Sequence, residues 1–97
     1  MFEIEFTEGA IGDLRFLEKA EQRYLLEAIE RQLPSQPLTP TRNRKLLRAN
    51  ELSEWELRVG DLRVFYDVDE EYAVVRIKAV GRKDRNRLFI RGKEFLL

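Results

Sequence analysis

The stretch WELRVGDLRVFYDV, Trp55–Val68, decides the fold. Gly60-Asp61 supplies a two-residue turn with glycine at its first central position, flanked on both sides by alternating apolar residues, which predicts a β-hairpin. Folded about that turn, Val59 faces Leu62, Leu57 faces Val64 and Trp55 faces Tyr66, so one side of the pair is apolar. The other side sets Arg58 directly across from Arg63. Like charges opposed across a strand pair are destabilising. The arrangement calls for a negative partner.

The 97 residues suit a single domain, 1–97, with one small core. No long apolar run and no charged-then-apolar leader is present, so neither a membrane span nor a signal peptide is expected. Cysteine is absent, which excludes a disulfide framework and fits a reducing cytoplasm. Histidine is absent too, leaving only carboxylates as metal ligands and restricting acid–base chemistry to Arg, Lys, Glu, Asp or Tyr. The net charge of zero hides a segregation: residues 1–33 carry four basic and eight acidic side chains, residues 34–97 fourteen and ten. From Arg76 to Lys93 there are eight basic residues and only Asp84 against them. Such asymmetry fits a polyanion or an acidic protein as partner, and equally an ordinary solvated surface.

Outward from the hairpin, the periodicities change twice. FEIEF alternates Phe2, Ile4 and Phe6 with Glu3 and Glu5, as in a half-buried strand. Thr7 can cap a following helix, and a break near Lys19–Glu21 divides the region to Leu33 into a helical hairpin. PSQPLTPT ends it in a surface loop. RNRKLLR then clusters Arg42, Arg44, Lys45 and Arg48 around Leu46-Leu47. Strands are expected over Ser53–Val59, Leu62–Val68 and Tyr72–Val80. The sum is an α+β fold: N-terminal strand, helical hairpin, then an antiparallel three-stranded meander with helices on one sheet face.

The uncovered face is expected to carry Glu54, Glu56, Arg58, Arg63, Phe65 and Asp67, joined by Arg76 and Lys78 if Val75, Ile77 and Ala79 point into the core. GRKDRNR adds Arg82, Lys83, Arg85 and Arg87 at the rim. Two readings fit. Guanidinium groups grip phosphate bidentately and an aromatic such as Phe65 can stack on a base, as in binding of single-stranded RNA. Alternatively the carboxylates of this face pair with the arginines in an exposed ion-pair lattice.

The order strand, helical hairpin, then WELRVGDLRVFYDVDEE and VVRIKAVGRKDRNRLFI resembles the RelE/ParE superfamily of toxins from type II toxin–antitoxin modules, over essentially the whole chain. The resemblance implies one of three roles: ribosome-dependent, metal-free cleavage of messenger RNA in the RelE branch, inhibition of DNA gyrase in the ParE branch, or that of a weakly active or inactive member that mainly binds its antitoxin. It implies no cofactor. It also implies a cognate antitoxin, RelB-like or of another type, that wraps the toxin and carries it to operator DNA.

Matched by position, the resemblance makes Arg58, Arg63 and Lys83 the catalytic set, and Glu56 a candidate general base where the best-known branch has lysine. Arg44, Lys45, Arg48, Arg76, Lys78, Arg82, Arg85, Arg87, Phe65 and Phe89 are the candidate RNA-contacting residues. Phe89 stands where the family's catalytic tyrosine is expected and has no ionisable group. The tail IRGKEFLL can form part of the surface an antitoxin covers, but Phe95, Leu96 and Leu97 are expected to pack back onto the core rather than bind a partner.

Overall fold

The computed structural model describes residues 1–97. β1 (Glu3–Phe6) leads into α1 (Glu8–Phe16) and α2 (Lys19–Gln32), followed by β2 (Arg44–Leu46), β3 (Trp55–Val59), β4 (Leu62–Asp69), β5 (Val74–Asp84), β6 (Arg87–Ile90) and β7 (Lys93–Phe95). Thr7 caps α1, its hydroxyl accepting the Ala10 N–H at 3.1 Å. The helices separate at Leu17–Glu18, just before the expected break.

All strands form one seven-stranded sheet in the order β2-β3-β4-β5-β6-β7, with β1 joined in parallel to β5. β3–β4–β5 is the expected antiparallel meander, and the hairpin register pairs Trp55 with Tyr66, Leu57 with Val64, Val59 with Leu62 and Arg58 with Arg63. Gly60 has a φ of 60°, the left-handed value that its turn position requires. Leu25, Ala28, Ile29 and Leu33 of the helical hairpin pack on Leu57, Val64, Tyr66, Val75 and Ile77. Tyr66 is fully buried, stacks on Trp55 with centroids 6.1 Å apart, and donates its hydroxyl to Pro37 O at 2.8 Å. Burial raises its phenol pKa well above the usual value.

Three features differ from the sequence-based expectation. β2, β6 and β7 are additional strands: β5 continues past Val80 to Asp84 and turns at Arg85-Asn86, both left-handed, into β6. A β-bulge interrupts β5, because Phe65 pairs with Ala79 and Tyr66 with Ile77, leaving Lys78 as the extra residue. Beyond it the alternation is reversed, so Val80 joins the helix-side core and Ala79 moves to the opposite face. That face has a small core of its own, in which Phe65, Ala79 and Leu88 are covered by Leu47, Leu52, Ile90 and Phe95. Of the last three residues of the tail, only Phe95 packs inward; Leu96 and Leu97 are exposed.

Phe65 is therefore a packing residue, fully buried, and it cannot stack on a base as expected. Phe65→Ala should lower the unfolding free energy by about 3 kcal/mol in urea denaturation, the cost of emptying a buried aromatic site. Affinity for a single-stranded oligonucleotide should be unchanged under conditions where the variant is folded.

Candidate functional site

Arg58 and Arg63 lie nearest the turn. Arg58 sends its backbone N–H outward to Asn43 O at 2.7 Å, so it and Arg63 form a non-hydrogen-bonded pair, the closer of the two kinds in an antiparallel ladder. The Arg63 guanidinium is tied back to the turn, its Nη1 donating to Gly60 O at 2.8 Å and Leu62 O at 2.9 Å. Burial pulls its pKa below the usual value and Arg58 pulls further, while Glu56 and Asp61 oppose them. It stays charged at any ordinary pH.

The negative partner that this repulsion calls for lies within the chain. Glu56 is buried, paired across β3–β4 with Phe65 and across β2–β3 with Lys45, whose Nζ is 4.0 Å from the carboxylate. The second core beneath Phe65 thus walls off one side of Glu56. Lys83 arrives from β5, its backbone N–H bonded to Asp61 O at 2.8 Å. Arg58, Arg63, Lys83 and Glu56 all line one cavity of about 230 Å³, together with Lys45, Arg42 and Asn43. Five cations, one carboxylate and one amide face each other there, with no apolar side chain. An anionic phosphate group fits such a set, since the five cations offer N–H donors and only Glu56 and the Asn43 amide oxygen offer side-chain acceptors.

The bulge at Lys78 governs which basic residues reach this cavity. Reversed alternation brings Gly81 opposite Arg63 and Lys83 to its side, and turns Arg82 toward the helices. Gly81 is needed there, because a Cβ would sit 2.7 Å from Phe89 O. Arg82 bonds Glu21 at 2.6 Å, and its guanidinium holds the Glu21 carboxyl below the usual range. Their bridge therefore contributes above the normal carboxylate pKa and is lost as pH falls through the depressed value. Phe89 pairs with Arg82 and lies in the helix-side groove, away from the cavity.

The remaining basic candidates are dispersed. Arg44 is buried, with Nη1 donating to Gln32 O at 2.9 Å and Gln36 O at 2.7 Å; it ties off the end of α2 and is unavailable to phosphate. Arg76 pairs with Glu5, Lys78 with Asp67, and Arg87 with both oxygens of Glu94. Arg85 is exposed in its turn, and Arg48 is exposed beside a different cavity. Arg42 and Asn43, which no expected role covered, line the site because β2 runs beside β3. Only a strand assignment for RKL could have revealed them.

The family model for the ParE toxin of type II toxin–antitoxin systems, parDE, matches residues 4–87. The chain belongs to the ParE toxin family. Its fold is that of RelE-like toxins. The toxin superposes on the RelBE2 toxin–antitoxin complex of Mycobacterium tuberculosis with a TM-score of 0.73 at 28% identity, covering 84% of this chain and 98% of that one. Against the archaeal RelE–RelB complex of Pyrococcus horikoshii the TM-score is 0.69 at 23% identity, covering 87% and 97%. Against the intact Escherichia coli RelBE complex it is 0.59 at 21%, covering 88% and 100%. No curated protein matches the toxin.

Two substitutions separate scaffold from site in chemical unfolding. Arg44→Met should cost about 2 kcal/mol by leaving buried carbonyls unpaired. Arg58→Gln should stabilise by about 0.5 kcal/mol, because it removes a like-charge pair.

Proposed function

We propose that this toxin cleaves messenger RNA at the ribosome without a metal, and that an antitoxin partner holds it inactive and links it to operator DNA in the cytoplasm. The observation that carries this reading is the convergence of Arg58, Arg63, Lys83, Lys45 and Arg42 around the single carboxylate of Glu56.

RNA supplies its own nucleophile, so the protein need only position, polarise and move protons. In this scheme Arg58 and Arg63 bind the scissile phosphate and neutralise the charge that builds on its oxygens. Glu56 accepts the proton of the 2′-hydroxyl as that oxygen bonds to phosphorus. Lys83 gives a proton to the 5′-oxygen as the P–O bond breaks. The products are a 2′,3′-cyclic phosphate and a free 5′-hydroxyl. Arg42, Lys45 and Asn43 hold the neighbouring backbone.

Two observations favour a second reading, inhibition of DNA gyrase. No hydroxyl-bearing side chain lines the cavity, and the matching family model is that of ParE.

Primer extension on messages from cells making the toxin tests the two. The nuclease reading expects ribosome-dependent cuts that fall by about a hundredfold or more in Arg63→Ala. It also expects Phe89→Tyr to leave them unchanged, because residue 89 faces the other groove. Intact messages with arrested replication and gyrase-linked breaks would favour the second reading instead.

A further inference from the structure

Of the side chains lining the basic cavity, only Glu56 and Asn43 carry acceptor oxygens. The five cations offer donors alone, and they grip phosphate, a group that RNA and DNA share. What separates the two nucleic acids is the 2′-hydroxyl, whose proton needs an acceptor. Glu56 is committed to the reacting 2′-hydroxyl in the cleavage scheme. Asn43 is left for another.

The backbone at Asn43 is fixed while its side chain is free. Its C=O accepts the Arg58 N–H at 2.7 Å, and its N–H donates to Thr41 Oγ1 at 3.1 Å. Thr41 N–H bonds Arg44 O at 2.9 Å, and Thr41 Oγ1 also accepts the Arg44 N–H at 3.1 Å, which closes a turn around Asn43. The buried Arg44 side chain anchors that turn on Gln32 O and Gln36 O. None of these bonds uses the Asn43 carboxamide, which is exposed and lines the cavity. Register sets what lies beside it. Lys45 faces Glu56 across β2–β3, and Asn43, two residues earlier, faces Arg58. Two strand residues span roughly 6.6 Å, an offset comparable with one nucleotide of an extended backbone.

We infer that Asn43 is a specificity-determining residue, whose carboxamide bonds the 2′-hydroxyl of the ribose next to the reacting one and so selects RNA over DNA. It rests on the cleavage reading proposed for this toxin. The amide oxygen accepts the hydroxyl proton, and the amide N–H remains for a sugar or phosphate oxygen beside it. A cation at this position has no acceptor, and a carboxylate repels the phosphate of the same nucleotide. A neutral amide meets both demands. Because its backbone is already held, ordering it on binding costs little.

Affinity of the full-length toxin for single-stranded RNA and DNA oligonucleotides of one sequence, measured against salt, tests this. The wild type should prefer RNA by about tenfold or more. Asn43→Ala, a surface change, should cut that preference about fivefold by weakening RNA alone, the scale of one hydrogen bond. DNA affinity and both salt slopes should stay as they are, because a neutral side chain releases no counterion. Arg42→Ala is the contrast, and should weaken RNA and DNA alike while lowering both slopes. Equal weakening of RNA and DNA by Asn43→Ala, an undiminished preference, or a wild type that binds the two alike overturns the role of Asn43. Ribosome-dependent cuts by the wild type in primer extension would then leave the cleavage reading standing. Absence of such cuts together with absence of RNA binding overturns both.

Discussion

The site depends on one irregularity, the bulge at Lys78, and on the first helix that holds it. An extra residue in β5 leaves main-chain groups that the β4 ladder cannot satisfy. α1 and its cap satisfy them. The Thr7 hydroxyl approaches Lys78 O at 3.4 Å, Thr7 N–H bonds Ile77 O at 3.1 Å, and Asp13 accepts the Val80 N–H at 3.1 Å. Asp13 is buried and is itself held by Arg91 Nε at 2.7 Å, while Arg91 Nη2 reaches Gly9 O at 2.9 Å. The helix therefore pins the phase of the strand, and that phase selects Lys83 for the open face and Arg82 for the covered one.

Electrostatics follow from the same placement. With Lys83 beside Arg58 and Arg63, the turn end of the sheet concentrates positive charge that Glu56 and Asp61 only partly offset. Glu56 is buried beside Phe65, its cross-strand neighbour, which the second core covers. Elsewhere basic side chains pair with Glu5, Asp67, Glu21 and Glu94, so the surface is a set of separate ion pairs around one cluster in which cations outnumber carboxylates. The ion-pair reading of the basic face holds for these pairs, and the cluster at the turn end lies outside it.

The sequence made the hairpin legible because turn chemistry and period-two alternation agree over Trp55–Val68. It also placed the helical hairpin and the apolar stripe of Leu25, Ile29 and Leu33. It could not show the bulge, since VVRIKAVGRK alternates plausibly in either phase. Without the bulge, Ala79 goes to the wrong face and Arg82 and Lys83 exchange sides. Burial of Phe65 is not legible in the sequence for a related reason: its cover comes from Leu47, Leu52, Ile90 and Phe95, residues distant in sequence that look like loop and tail. Arg44 resembled its basic neighbours in composition, and only the fold shows that it bonds the carbonyls at the end of α2.

Strand phase, more than basic composition, decides which cation lines the cavity. Affinity for a single-stranded RNA oligonucleotide, measured against salt concentration for Lys83→Ala and Arg82→Ala, tests it most directly. Loss of Lys83 should weaken binding about tenfold and reduce the salt slope by about 0.7, the share of one phosphate contact on a single strand. Loss of Arg82 should change neither. The reverse result, with Arg82 carrying the contact and Lys83 dispensable, would contradict the account.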